Sequence, residues 1–496
     1  MKTLKSIITA VTLVLALVSC DMDKYPYNAI PLDKAVQSLK DCENLRNGLY
    51  RDLRIVSSGG NLIASEIQCD LFNPLIDYGN DYGPIYRWSA QAQEETFETA
   101  WSNGYIIIGQ CNLLINGLLD LEQAGVFSEE EKLAAKNILG ETYLMRAIAY
   151  AILADKFCVA YNPETAADEY GVPIVTTYNP TDDNSKYPSR SSLKDTYSLI
   201  KDDIRNAENN ITAEGTQSSI YLTKDALKAF KARIALWMHE WDTAISNAED
   251  IIKSEKYPLI TDEDEFVDMW LNDNSTEVIC QLYSSQQELA PAMGGFLDEK
   301  NDRPTFVPTQ SVIKLLMERN ADIRTNAYFG VYNVNTSVGS GQIIMMHKFP
   351  GNPEMYTGDN NYVNKPKIFR IAELYLIAAE AYYSKGGKDQ EAYDILFKLM
   401  SARDETLTSS PVTGLSLRTL IRNERIRELL GEGFRLNDLK RYGEGFTRGD
   451  AQIPAATYPL AIDLQVEPTD FRFVWAIPKT ELDTNPQLRP QQNPGY

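Results

Sequence analysis

The densest group of side chains able to hold a ligand lies between Asp70 and Trp88, in Asn73, Asp77, Tyr78, Tyr82, Tyr86, Arg87 and Trp88. Sugars present apolar C–H faces and equatorial hydroxyls. A site for them needs aromatic platforms beside Asn, Asp and Arg groups that fix orientation through hydrogen bonds. The four-residue spacing of Tyr78, Tyr82 and Tyr86 would serve equally well as a helical core stripe. Gly79, Gly83 and Pro84 count against a continuous helix there. Ligand surface and packed core both remain open readings of this stretch.

Other chemistry is sparse. The only histidines, His239 and His347, lack a partner at metal-ligand spacing, which argues against a histidine-based zinc or general-base site. There is no G-x-S-x-G, no P-loop and no strand-linked G-x-G-x-x-G; Gly443-Glu444-Gly445 misses that register and follows a helical pattern. Carboxylates are so abundant that counting neither supports nor removes a glycosidase-style pair. Thr261 to Glu265 and Asp359-Asn360-Asn361 could offer oxygens to calcium, but neither fits the EF-hand loop, and both read as surface acids. No cofactor and no metal are expected, and the chain reads as a binding protein, not an enzyme.

The N-terminus speaks to location. Lys2 and Lys5 precede an apolar run from Ile7 to Val18, which is signal-peptide length and too short to span a bilayer. It ends Leu17-Val18-Ser19-Cys20, the bacterial lipobox pattern, so residues 1–19 read as a signal peptide and Cys20 as the lipidated residue. Two or three acyl chains at about 0.8 kcal/mol per buried methylene would hold the chain on a membrane almost permanently. Residues 20–32, with Pro26 and Pro31, then form the tether. The formal charge of −21 becomes two units more negative once Lys2 and Lys5 are removed. That balance argues against nucleic acid and anionic lipid as partners and favours a neutral ligand. Cys42, Cys69, Cys111, Cys158 and Cys280 show no CxxC spacing and read as buried free thiols, with one disulfide the alternative in an exported chain.

Helical signals dominate the elements that would position these groups. The periodicity predicts helices over Asp33 to Arg54 (with Asp33 as N-cap), Glu95 to Leu121, Ser128 to about Phe157, and Ser192 to Ile211. Ser128 and Glu131 form a capping-box pattern. Two helical hairpins follow. In the first, Leu227, Phe230, Ile234 and Trp237 face Trp241, Ile245, Ala248 and Ile252 across a short break near Glu240. In the second, Ile371 to Tyr382 and Ala392 to Leu399 flank Gly386-Gly387. Hairpins of this length build tetratricopeptide-like arrays. Leu282 to Lys367 is rich in Gly, Asn, Pro and Tyr, and is expected to be an irregular, loop-rich insertion of the kind that carries binding sites.

The strongest pattern is Leu420-Ile421-Arg422-Asn423-Glu424-Arg425-Ile426-Arg427-Glu428-Leu429, with Gly431-Glu432-Gly433-Phe434-Arg435 and Asp438-Leu439-Lys440-Arg441 after it. The chain closes with Trp475-Ala476-Ile477-Pro478, Asn485-Pro486 and Gln492-Asn493-Pro494-Gly495-Tyr496. Together these closely resemble the SusD/RagB family of Bacteroidetes outer-membrane lipoproteins. Further matches are Trp101, Tyr105 and Asn112, Tyr143 to Phe157, Gly171 to Ile174, Asp202-Asp203-Ile204 and Arg370 to Glu373. Cys158 to Tyr170 departs from the sharp turn usual in the family. In purely physical terms, Glu424–Arg427 and Arg425–Glu428 stand at i,i+3 spacing and read as structural ion pairs.

The resemblance implies a mainly α, SusD-like single domain over 33–496. Helical hairpins would occupy about 33–260 and 369–442, and a ligand-side insertion about 261–368. It implies a surface-facing lipoprotein that binds an oligosaccharide unaltered and delivers it to a SusC-like TonB-dependent transporter in the outer membrane, as a lid over that barrel. A peptide-uptake relative is the alternative; a glycoside hydrolase stands well behind. Because ligands in the family sit on loops of both regions, Tyr283, Phe296 and Arg303 join the Asp70–Trp88 group as a second wall.

Overall fold

The computed structural model describes residues 35–293, 296–298, 303–358, 361–452 and 464–496. The lipidation reading at Cys20, the N-cap reading at Asp33, and Asp359 and Asn360 of the second oxygen-rich run lie outside them. Among the described residues the first helix, α1 (Leu39–Val56), is capped by Ser38, whose hydroxyl accepts the Asp41 amide. A short α2 (Gly60–Gln68) follows. Next come α3 (Glu95–Gln123) and α4 (Glu129–Phe157), where the Ser128–Glu131 capping box forms in full. α5 (Leu193–Asn210) is capped by Ser192. α3 is long and apolar enough by composition to cross a membrane, yet half of that stretch is buried within the core.

The first hairpin is α6 (Lys224–Trp237) and α7 (Trp241–Lys253). His239 makes the break by taking a left-handed conformation at φ 63°, which lets the Glu240 amide reach the Ala235 carbonyl. The insertion opens with α8 (Glu263–Leu271), where Asp262 accepts the Glu265 amide; part of the acidic run weighed for calcium is therefore a helix cap. It also holds α9 (Gln310–Met317) and α10 (Arg324–Tyr328). After it come α11 (Ile371–Lys385), α12 (Asp389–Arg403), α13 (Gly414–Leu429) and α14 (Arg435–Tyr442). Helix α4 packs on α3 and α5, α7 on α6 and α11, and α11 on α12 and α13. One apolar cluster runs through both groups of helices, from Cys42 to Leu488, and all five cysteines of the described residues are buried and free.

The insertion is more regular than its composition suggests. Strands β1 (Phe72–Pro74) and β5 (Phe306–Pro308) pair antiparallel, with Asn73 opposite Val307. A hairpin of β6 (Phe329–Thr336) and β7 (Gly339–Met346) turns through Ser337-Val338. Val334 and Ile343 face inward onto Leu75 and Val307, with Tyr332 packed at the edge; Val331, Asn333 and Asn335 face out. A second apolar cluster joins Ile63, Ile67, Tyr78 and Tyr86 to Phe266, Trp270, Phe306 and Tyr328, so the insertion shares its core with α2 and the segment after it.

The arginine- and glutamate-rich α13 is buried in an ion network. Glu428 meets Arg324, Arg370 and Arg403 at 2.9–3.1 Å, and Glu424 meets Arg319 and Arg324 at 2.7–2.8 Å. Glu424–Arg427 forms as expected, at 3.3 Å. The expected Arg425–Glu428 pair is replaced: Arg425 turns to Asp438 at 2.8 Å, because α14 offers it a bidentate carboxylate on the other side of the helix. Burial alone would raise the Glu424 carboxyl, but Arg324, Arg319 and Arg427 reverse this and bring it to about 2. On α2, the Glu66 carboxylate accepts the amides of Gly431, Gly433 and Arg435; here burial wins and lifts its carboxyl to about 7.

The C-terminal motif is a stitch. Asn493 donates to the carbonyls of Phe157 and Trp475 and accepts from Arg190, whose guanidinium also holds the carbonyls of Gly171 and Phe157. That clamp closes the base of the divergent Cys158–Tyr170 loop.

Candidate ligand-binding surface

The Asp70–Trp88 stretch is a strained loop. Asp77, Asn80, Tyr82 and Trp88 all have positive φ, between 52° and 69°, a region that costs non-glycine residues on the order of 1–3 kcal/mol each and is tolerated where the surroundings enforce it. A short helical turn, Gly83–Tyr86, follows Tyr82. These turns fold most of the aromatic side chains inward. Asn73 donates to the Gly449 carbonyl and accepts from the Tyr86 hydroxyl at 2.9 Å. The Tyr86 ring lies 3.7 Å under the Arg448 guanidinium, and burial pushes its phenol up to about 12. Tyr78 packs edge-on against Phe306, and its hydroxyl bonds Asn80 and Arg87 at 3.0 and 3.1 Å. The Trp88 indole donates to the Gln68 carbonyl and lies between Phe446 and Phe473. Phe296 is buried against Phe72.

Asn73, Tyr78, Tyr86, Trp88 and Phe296 are therefore core groups, and the platform expected of them does not exist at those positions. The β1–β5 pairing draws the segment under the insertion, where Tyr78, Tyr86 and Phe296 fill the second apolar cluster, while Trp88 packs in a separate cluster with Leu436, Phe446 and Phe473. Three members of the group keep access to solvent. Asp77 is exposed and accepts the Ser337 amide and hydroxyl, pinning the loop to the tip of the β6–β7 hairpin. Arg87 is half-buried. Tyr82 is half-buried too, its hydroxyl so near α2 that a Cβ on Gly60 would meet it at 3.0 Å. Arg303 lies in the short strand β4 (Arg303–Pro304), with its side chain outside the described residues.

Tyr283 behaves as expected of a platform. Half of it is exposed, and its carbonyl is held by Arg54 at 2.5 Å, so the backbone is fixed while the ring stays free. Two further tyrosines not singled out by sequence are partly exposed nearby, with their carbonyls held in the same way. Tyr356 is 42% exposed, with its carbonyl bonded to Gln286. Tyr221 is 38% exposed, edge-on to Tyr50 and under the Arg46 guanidinium at 4.6 Å. Tyr221 contacts Cys280 through its carbonyl and Tyr356 reaches Gln286, so both flank the strand-to-loop stretch that carries Tyr283. Below, Ala290, Met355 and Val363 pack the two loops together. Arg46, over the Tyr221 ring, and buried Arg54, on the Tyr283 carbonyl, share one helical face of α1 and are balanced by Glu141 and Glu288. The signal available in sequence was a tyrosine next to a turn cluster: Gln217-Ser218-Ser219 before Tyr221, and Thr357-Gly358 after Tyr356.

The helical array with its insertion is a fold shared with solved SusD-superfamily proteins. A SusD superfamily protein from Bacteroides thetaiotaomicron superposes with a TM-score of 0.78 at 27% identity, over 92% of this chain and all of the other. A SusD-like carbohydrate binding protein from Bacteroides vulgatus shares the fold at a TM-score of 0.73 and 18% identity, over 91% and 98% of the two chains. In sequence, the SusD family model matches residues 325–496, and a model described as starch-binding and associating with the outer membrane matches 76–236. A SusD-like protein from Formosa agariphila is 25% identical over 433 residues, 77% of this chain and 78% of that one. The chain belongs to the SusD/RagB family.

Proposed function

We propose that the protein is a lipid-anchored, cell-surface member of this family that binds a neutral oligosaccharide and hands it, unaltered, to a TonB-dependent outer-membrane transporter. The observation that carries the ligand class is the group of exposed tyrosines, Tyr221, Tyr283 and Tyr356, each on a backbone tied down by a neighbouring side chain or strand. Rings held this way stack on the C–H faces of sugars with little ordering cost. Tyr82, Asp77 and Arg87 supply a second, more polar region on the loop beneath the hairpin. The lipobox at Cys20 supports the anchor, the acidic charge supports a neutral ligand, and the family supports the transporter partner.

The competing ligand is a peptide, which needs backbone-pairing edges or a deep cleft in place of open rings. Titration of the mature protein against host, plant and microbial glycans, with mixed peptides as control, decides between them. Saturable glycan binding that Tyr283→Ala or Tyr356→Ala weakens by about 1–3 kcal/mol is the expected result. Binding of peptides alone, hydrolysis of a glycan at enzyme-like rates, or a periplasm-facing protein in surface proteolysis would overturn the proposal.

A further inference from the structure

Between the helical array and the insertion lies a cavity of about 160 Å³, walled by α1, α4 and α6 on one side and by residues 364–369 and 432–437 on the other. Its lining is chiefly apolar. Leu62, Ile152, Trp237, Phe349, Ile368 and Phe434 stay only half-buried, although none of the lining residues lies open on the surface. Protein interiors seldom leave so much apolar surface unfilled. A cavity of about this size, lined by aliphatic and aromatic side chains, accommodates a benzene-sized molecule.

Two polar groups give the cavity a direction. Trp270 lines it and is 2% exposed, yet its Nε1 has no hydrogen-bond acceptor among the described residues. The rest of that indole is fully engaged, with Lys348 over the ring at 4.5 Å and Tyr328 and Phe349 edge-on. Next to it, Asn364 donates to the Trp270 carbonyl, and the following residue, Lys365, also lines the cavity. The Lys365 ammonium has no carboxylate partner among the described residues, whereas the cavity's acids, Asp155 and Glu432, are taken up by Lys156 and by Lys348 with Arg370. Trp270 Nε1 is thus the one fully buried side-chain polar atom of the described lining without a partner, and with the Lys365 ammonium it offers a pair of donors.

We infer that this cavity is a second ligand site, distinct from the tyrosine surface, for a single-ring aromatic carboxylate or its ester. The ring would lie among Phe230, Phe349 and Phe434, where edge-to-face contacts are available, and its carboxyl oxygen would accept from Trp270 Nε1 and Lys365. The free acid and an acyl group carried on a sugar present the same chemistry to these residues.

The test uses the mature protein with 4-methylbenzoate, its 6-O-glucose ester and toluene, followed by calorimetry and tryptophan fluorescence. One-site binding of the acid or the ester with Kd below about 1 mM is expected. Ala151→Phe, which fills the cavity from α4, should weaken both by tenfold or more, on the scale of a lost methyl-sized space in a packed site. Trp270→Phe keeps the ring and removes the donor. It should weaken the oxygen-bearing probes about fivefold to tenfold and leave toluene within about twofold. Acid binding without ester binding marks a free acid as the ligand; tighter ester binding marks an acylated sugar. No saturation by either oxygen-bearing probe, or equal loss of acid and toluene in Trp270→Phe, would overturn the inference. If Ala151→Phe does not fold, the Trp270→Phe comparison decides alone.

Discussion

Glu428→Gln is the most direct probe of how the helical array holds the insertion. The carboxylate accepts from Arg324 at 3.1 Å, from Arg370 at 2.9 Å and from Arg403 at 3.0 and 3.1 Å, and the three arginines are at most 2% exposed. Arg324 begins α10, which leads directly into the β6–β7 hairpin, while Arg370 ends β8 (Lys367–Arg370) and Arg403 ends α12. Removing one partner of a buried ion pair costs about 3–5 kcal/mol, since the remaining charge stays desolvated. Each arginine keeps another acid: Arg324 keeps Asp322 and Glu424, Arg370 keeps Glu432, and Arg403 keeps Glu277. The new amide, however, points N–H groups at guanidinium donors, so the middle of the range, about 4 kcal/mol, is expected. At about 2.1 cal/mol/K of unfolding entropy per residue, that is a fall in melting temperature of about 4 °C. The three arginines hold the Glu428 carboxyl far below its ordinary 4.5, against the effect of burial. Its stabilisation is therefore present above pH 4.5 and fades as the pH falls towards the folded value. Calorimetry from pH 7 down to pH 3 should show wild type and variant converging below pH 4.5. A deficit under about 1 kcal/mol at pH 7, or one that does not narrow in acid, would refute this account of the network.

Three further outcomes are expected. Glu66→Gln should change the pH dependence in the opposite sense. Because burial lifts this carboxyl from 4.5 to about 7, wild-type stability is fully present below pH 4.5 and declines as pH rises to 7, by on the order of 3 kcal/mol; the variant should lack that decline in a series of urea titrations. Trp88→Ala should lower stability by about 3–5 kcal/mol, the cost of emptying a packed aromatic site. Tyr283→Ala, half-exposed, should change the melting temperature little, and the two compared by thermal denaturation separate core from platform. Ser128→Ala removes the capping box of α4 and should cost about 1 kcal/mol, read from the urea midpoint.

Local signals carried the helices well. The capping box, both hairpins and the Gly386-Gly387 turn lie where side-chain periodicity and turn chemistry place them, because those rules act over a few residues. What sequence could not settle is decided by distant partners. Arg425 and Glu428 have the spacing of an ion pair, yet Asp438 and three arginines from other elements outcompete that pairing. The β6–β7 hairpin was hidden because its outer face carries Asn333 and Asn335 while the buried face holds few residues, so the alternation reads as loop composition. Around Tyr82, the run of positive φ at non-glycine residues has no sequence signature beyond the neighbouring Asp and Asn, which tolerate that region.

The same logic separates the aromatics that pack from those that can meet a ligand. Tyr78, Tyr86 and Trp88 have hydroxyl or indole groups bonded inside the protein, to Asn80, Asn73 and the Gln68 carbonyl, so the polar end of each is already satisfied by the fold. Tyr283 reverses the arrangement. Its main chain is bonded through Arg54 and its ring is left outside. Tyr356 follows it in part, with a carbonyl held by Gln286 and a hydroxyl reaching only as far as the Gly351 carbonyl at 3.4 Å. Composition treats these tyrosines alike; what distinguishes them is which end the fold has taken. Loops packed over Ala290, Met355 and Val363 can fix a backbone without covering its side chain. The segment after β1 cannot, because the pairing of Phe72–Pro74 with Phe306–Pro308 and the tight turns that follow carry its rings under the insertion and into the core. On the proposed function, the rings a sugar would meet are therefore Tyr283 and Tyr356 on the insertion with Tyr221 beside them, and not Tyr78, Tyr86 and Trp88.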